Sequence, residues 1–346
     1  MTRDELRGQI QTVTGLLEPS KLGATLMHEH LICDIRTPSL ATCDCAWEPI
    51  SLENHWAIHY GETAHGPKYQ LDMPEVAIEE VQAFHAEGGR AIVELSNGGL
   101  SPDPELLRRI SLVTGVQVIM GCGHYVEEYQ DERNYQRSEE DFATEMTEQI
   151  LVGAWSTDVR AGIIGEIGCQ APWTSLERRV MRGAILAQRE TGATINVHPG
   201  REPGQPQEVA DFIHAEGGDP ARTVLSHIDR TVLDDKRLLR LADSGCVIEF
   251  DLFGLESSYY PLDLRIDMPN DAMRLRLIRL LIEHGHLERV LISHDICYRT
   301  RLKRFGGHGY GHILRNVVPL MRRREFSEQE IDTLLVDNPR RLLTFQ

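Results

Sequence analysis

The stretch Thr25-Leu26-Met27-His28-Glu29-His30-Leu31-Ile32-Cys33-Asp34 reads as a β-strand and carries two histidines one residue apart. Side chains alternate faces along a strand, so His28 and His30 point the same way, one pleat apart. Two imidazoles so placed can reach one metal ion, and imidazole suits zinc and its neighbours. The motif alone says little. With 15 histidines in 346 residues, a pair of this kind arises readily from composition. A second one, His284-Gly285-His286, does occur. It ends a helical run over 273–283, where residues two apart do not share a face. What sets the first pair apart lies downstream.

Short apolar runs alternate with amphipathic helical stretches along the whole chain. Strands are expected at 24–32, 90–95, 116–121, 162–167, 194–198, 223–227, 247–252 and 290–296. Helical stretches between them include 104–113, 139–152, 175–190, 208–215, 235–242 and 272–284. Strands separated by helices make βαβ units and a parallel sheet, and eight such units close into a barrel. The expected fold is α/β, a single (β/α)8 TIM barrel domain over 1–346. Residues 1–23 form an N-terminal lip, with a small hairpin over 11–19. Residues 35–75 form a long, poorly periodic loop after the first strand, holding Trp47, Trp56, His55, His59 and His65. Loops of that length are usually functional or mobile, and this one belongs at the mouth. The stretch 327–343 reads as helical, opened by Ser327 and Glu330 at capping-box spacing and broken at Asn338-Pro339.

Composition narrows the partners. The hydrophobic fraction is 41%, enough for a sizeable core, and the net charge is −17. Such acidity argues against nucleic acid and anionic membrane surfaces, and leaves a small-molecule substrate. The sequence contains no apolar run of membrane-spanning length. Met1-Thr2-Arg3-Asp4-Glu5-Leu6-Arg7 lacks the apolar core of a signal peptide, so a cytoplasmic location is expected. The seven cysteines are odd in number and contain no CxxC, which reads as free thiols.

Polar residues interrupt the apolar strands at a repeating place. The first strand ends in His28-x-His30, the fourth carries Glu166, the fifth ends in His198, the sixth in His227 and the eighth in Asp295. These are metal-type ligands near the C-terminal ends of five strands, the end where barrel enzymes keep their chemistry. A carboxylate inside an apolar strand is costly unless it is paired or bound to metal. Singly, each histidine reads as an ordinary core or loop residue that has found a partner. Jointly, the repetition with the barrel period points to a metal site.

This pattern resembles the amidohydrolase superfamily. Its local stretches are similar to the phosphotriesterase family, and within it to phosphotriesterase-related proteins. The resembling segments are Val13 to Gly23, Gly165-Glu166-Ile167-Gly168-Cys169, His198-Pro199-Gly200-Arg201, Ser226-His227-Ile228-Asp229-Arg230-Thr231, Glu249 to Gly254 and Gly306-Gly307-His308-Gly309-Tyr310. The resemblance implies a hydrolase with two divalent ions, zinc being expected. One would be held by His28, His30 and Asp295, the other by His198 and His227, with Glu166 and a hydroxide bridging them. Phosphotriesterases proper carry a carboxylated lysine where this chain has Glu166, so assembly would need no carbon dioxide. Asp295 and Glu166 would be the catalytic residues, Asp295 taking the hydroxide's proton and passing it to the leaving group. Phosphotriesterases also use a histidine after strand 7 as a proton shuttle. Here that place reads Asp251-Leu252-Phe253, with no histidine evident, and Asp251 is either a brace for the ligands or structural.

The family resemblance further suggests an amide bond in a small anionic N-acyl compound of the N-acetyltaurine kind, and favours a homo-oligomer. Alternatives are a lactonase or phosphotriesterase with the same metals, or a non-catalytic binding protein that kept the fold. Arg201 and Arg230 each follow a ligand histidine by three residues, which puts both on the mouth. Arginine forks match carboxylate, phosphate or sulfonate oxygens; the plainer role is bracing an acidic loop. Tyr125 and Asn97 are expected as hydrogen-bonding wall residues. The basic cluster Arg299, Arg301, Lys303 and Arg304 reads either as part of the mouth or as a solvated helix face.

Overall fold

The computed structural model describes residues 1–346. All eight expected strands form; the third and fourth keep their expected length and the other six are shorter. They are β1 (Thr25–Glu29), β2 (Ala91–Glu94), β3 (Gln117–Cys122), β4 (Ile163–Gly168), β5 (Ile195–His198), β6 (Thr223–Leu225), β7 (Val247–Phe250) and β8 (Val290–Ile292). Neighbours pair in chain order and every pair is parallel, as βαβ connections require. The result is a nearly closed TIM barrel. Its seam, between β8 and β1, is bridged just above the strands. Asp295 N donates to His28 O at 3.1 Å, and the Ser293 hydroxyl both accepts from His28 N (3.0 Å) and donates to His28 O (2.8 Å).

Two apolar layers hold this frame. The larger, 69 buried residues, lies between the sheet and the helices. The smaller, 13 residues, includes Met27, Val93, Ile163, Val224 and Leu291 and plugs the barrel's interior from below with Leu342 and Leu343. The inner layer is small because the upper part of the interior is polar, and that polar part is the site. Helix ends follow their sequence cues. Ser138 and Thr174 close capping boxes at the starts of the helices Glu139–Leu151 and Ser175–Thr191.

Three expectations change. The C-terminal helix does not break at Asn338-Pro339. A π-helical turn over Thr333–Asp337 runs straight into the helix Asn338–Leu343, and the same device, Ile313–Val317, precedes Pro319. The wider turn makes room where a proline ring would crowd the carbonyl four residues back. Cys43 and Cys45, with only Asp44 between them, are paired rather than free; the other five cysteines are free and buried. The long loop over 35–75 is fastened down. Cys33–Asp34 pairs antiparallel with Gln70–Leu71. Lys68 Nζ, buried, donates to Ile58 O and His59 O. The His59 ring meets the Thr300 hydroxyl at 3.0 Å, and Arg299 Nε donates to Gln70 O at 2.7 Å, tying this loop to the one after β8.

Candidate metal centre

Two strands that carry candidate ligands slip register at the ligand. The β1–β2 pairing shifts between Leu26 and Glu29, and the β4–β5 pairing between Ile164 and Ile167. An inserted residue of this kind re-aims side chains at a barrel rim. At Gly165 the backbone has φ +136° and a Cβ would sit 2.5 Å from Asn196 O, so only glycine fits. The next residue, Glu166, then faces the barrel axis, 2% exposed. Asn97 Nδ2 donates to Glu166 O at 2.6 Å. Asn97 therefore braces this carboxylate's backbone from within the barrel and is no wall residue.

Four imidazoles surround the Glu166 carboxylate. Oε2 lies 2.8 Å from His198 Nδ1, 3.4 Å from His227 Nε2 and 3.6 Å from His28 Nε2, while Oε1 lies 3.5 Å from His30 Nε2. Asp295 Oδ1 is 3.2 Å from His30 Nε2 and 3.8 Å from His28 Nε2. All six candidate ligands thus come together, and Asp295 is the most exposed of them, at 15%. His227 and Asp295 adopt φ of +55° and +52°, a region that costs a non-glycine residue energy. Hydrogen bonds hold both there. His227 N donates to Asp251, and the Asp295 carbonyl accepts from Arg301 Nη1 at 2.7 Å.

The outer nitrogens of three rings are pinned. Asp251 lies 3.0 Å from His28 Nδ1 and 2.9 Å from His227 Nδ1. The Ser96 hydroxyl meets His30 Nδ1 at 3.0 Å and donates to Glu94. Such partners fix the tautomer and leave Nε2 facing inward. His198 is turned around: Nδ1 faces Glu166 and His227, while Nε2 faces Tyr125 Oη (3.4 Å) and Arg230 Nη2 (3.2 Å). His28 Nε2 is buried with no hydrogen-bond partner. An orphaned imidazole nitrogen, three more aimed at the same carboxylate, and a second carboxylate beside them fit divalent cations of the zinc type.

Electrostatics agree with a cation site. Burial would raise the Glu166 carboxyl, but the His28 and His198 imidazoles override it and hold it well below the usual range. Burial would likewise raise Asp295, and His30 and His227 outweigh it. Burial pushes His198 down to about 3, so its ring is neutral. Burial acts the same way on His227, yet the Asp251 carboxylate lifts it to about 9.

Sequence reading passed over several buried acids here. Glu29, between the two histidines, points to the other face. It accepts from Ser293 Oγ, His294 N, His294 Nδ1 and Ile296 N, which ties β1 to the loop after β8. Glu94 and Glu249 are also fully buried, as is Asp251, whose place beside His28 and His227 makes it the brace that was one of its two expected roles. The cue was the one that marked Glu166, a carboxylate in an apolar run. The cluster at 299–304 divides: Lys303 and Arg304 are exposed, whereas Arg301 is 1% exposed and clamps Asp295 O and Phe253 O.

Opposite the carboxylates stand Arg201 and Arg230. Both donate to the Tyr260 hydroxyl oxygen, and neither braces an acidic loop, because Glu202 and Asp263 are paired with Arg265 instead. The Tyr125 ring packs edge-on against His198, 4.8 Å between centroids. A cavity of about 70 Å³ runs between His30, Glu166, His198 and Asp295 on one side and Arg201, Arg230 and Tyr260 on the other. It adjoins a cavity of about 490 Å³ bounded by Ile35, Tyr69, Tyr125 and Tyr298, whose mouth is open.

Comparison with known proteins places this geometry. Residues 8–343 match the phosphotriesterase family profile. The N-acetyltaurine hydrolase of Homo sapiens is 43% identical over 346 residues, covering 99% of both chains. Among solved structures, a resiniferatoxin-binding protein from Rhodobacter sphaeroides superposes with a TM-score of 0.91 at 37% identity, over 98% of this chain and 96% of that one. The phosphotriesterase homology protein of Escherichia coli, complexed with phosphate in its active site, gives a TM-score of 0.77 at 28% identity, over 93% and 99%. With a family match across nearly its whole length and a buried cluster of imidazoles and carboxylates at the mouth of its barrel, the chain belongs to the phosphotriesterase family and is a metal-dependent hydrolase.

Proposed function

We propose that this hydrolase cleaves the amide bond of a small anionic N-acyl compound, N-acetyltaurine or a close analogue. The observation that carries the reading is full-length identity of 43% with a protein named for that activity. The arginine pair free of carboxylates beside the candidate centre supports it. His28, His30 and Asp295 would hold one divalent ion, and His198 and His227 a second, with Glu166 between them; zinc suits this donor set. When bound, the ions supply positive charge that polarises the scissile carbonyl and acidifies water.

The remaining work falls to side chains. Glu166 offsets the cations' charge and sets their spacing. Asp295, at the solvent side of the cluster, accepts the proton that the attacking water loses and returns one to the leaving amine nitrogen. Tyr125 packs beside His198, where it borders the acyl group. Arg201 offers the substrate's tail its terminal guanidinium nitrogens, which carry no other hydrogen bond. Arg230 spends one of its own on Pro199 O and another on Tyr260, so it chiefly positions its neighbours.

The whole chain would act as one barrel domain, in the cytoplasm, and as a homo-oligomer. No helix is long and apolar enough to cross a membrane. The deciding assay compares acetate release from N-acetyltaurine, lactone opening and aryl phosphotriester turnover on one metal-loaded preparation. Acetate release should have the highest kcat/KM. A faster lactone or phosphotriester would hand the site to that chemistry, and no turnover at full metal content would leave a binding protein.

A further inference from the structure

Tyr260 comes from the segment between β7 and the helix Asp271–Glu283, which contains no helix or strand. Its hydroxyl oxygen accepts from Arg201 Nε at 3.0 Å and from Arg230 Nη1 at 3.1 Å. Two guanidinium groups sharing one phenol oxygen, with the nearby acids Glu202 and Asp263 engaged by Arg265, is an unusual balance. Buried cations ordinarily come with an anion. Arg230 is 5% exposed and its Nε has no partner. Arg201 uses only Nε, so the fork formed by its two terminal nitrogens is empty-handed. The Tyr260 oxygen accepts twice, yet its own proton has no acceptor in the protein. These donors border the same cavity as Glu166, His198 and Asp295.

We propose that Tyr260 is a specificity-determining residue that, with Arg201, seats the anionic tail of the substrate: the Tyr260 O–H donates to one tail oxygen and the Arg201 fork takes the others. This rests on the amide-hydrolase reading of the site. The two arginines polarise the phenol and strengthen it as a donor. Although burial alone would raise the Tyr260 hydroxyl, Arg230 and Arg201 outweigh it and lower it below its ordinary value. A neutral tail would leave a phenol proton and a guanidinium fork unpaired in a confined cavity, which is how a polar site rejects an analogue lacking the matching group. The approach of Tyr260 to the Nε side of Arg201, with the terminal fork left open, distinguishes a third donor from a plug.

The test uses Tyr260→Phe in the metal-loaded full chain. The first readout is the ratio of kcat/KM for N-acetyltaurine to that for N-(3,3-dimethylbutyl)acetamide, a neutral analogue of the same length whose tail has no acceptor. It should fall about tenfold to a hundredfold, the range of a charge-assisted hydrogen bond. The second readout is calorimetric binding of methanesulfonate, which should weaken by a similar factor. An unchanged ratio with unchanged binding overturns the proposal and leaves Tyr260 as a brace for the arginines. Tighter methanesulfonate binding in the variant also overturns it, because Tyr260 would then be a plug that the anion must displace. If the wild type cleaves neither amide while Tyr260→Phe still weakens methanesulfonate binding, the anion seat stands and the amide reading falls.

Discussion

The two sides of the small cavity are built on different principles. On one side, His28, Glu166 and His198 sit within strands, while His30, His227 and Asp295 lie just past the ends of β1, β6 and β8. Asp251, Ser96 and the Ser293 seam lock that side from behind. On the other side, Arg201, Arg230 and Tyr260 all come after strand ends, and they hold chiefly one another. Strand register and the two bulges fix the first side to the sheet itself. Arg201 and Tyr260 can change by loop substitution without touching the first side, whereas Arg230, whose Nη2 meets His198 Nε2 at 3.2 Å, links the two. A barrel of this kind therefore keeps its reaction in the strands and its choice of substrate in the loops.

The largest effect should come from the centre of the rigid side. Glu166→Gln keeps the shape of the side chain but removes the charge facing four imidazoles. Metal content, read by atomic absorption, should drop well below the wild-type value, and turnover should fall by about a thousandfold or more if the charge is needed to assemble the site. Reconstitution of the wild type should not respond to bicarbonate. A bicarbonate requirement, or a Glu166→Gln protein that retains full metal, would break the assignment of Glu166 as the bridge.

Asp251→Asn probes the support behind that side. The amide can still fill the space, but it loses the carboxylate that orients His28 and His227 together. Metal affinity from competition with a chelator should weaken about tenfold to a hundredfold, the usual effect of losing such a partner. Affinity equal to wild type would mean that the strands alone aim the rings.

Substitution on the loop side should change selectivity more than capacity. Arg201→Met should lower kcat/KM for N-acetyltaurine by about tenfold to a hundredfold, with metal content unchanged and the neutral dimethylbutyl amide nearly unaffected. Equal losses on both substrates, together with a lower melting temperature, would show that Arg201 is a brace, and would erase the contrast between the two sides. The smallest effect belongs to the decoy pair: His284→Ala should leave metal content and turnover at wild-type values, since the His284 ring only meets Leu280 O at 2.8 Å on the surface. Lost metal there would mean that spacing alone had misled.

The sequence alone determined the eight strands, their order and the six residues that meet around the barrel axis. Strand periodicity is local, and a polar residue inside an apolar run is visible without any tertiary information. What only the tertiary structure decided depends on residues far apart in the chain. Glu29 looked like a spacer between two histidines and became a tie to residues 293–296. Arg301 looked like part of a charged surface and became a buried clamp on Asp295. Asn97 moved from the wall to the backbone of Glu166. Tyr260, in a segment without periodicity, had no local signal at all. Its role arises only where the ends of β5 and β6 bring Arg201 and Arg230 to one phenol oxygen, a meeting fixed by barrel closure rather than by any spacing along the chain.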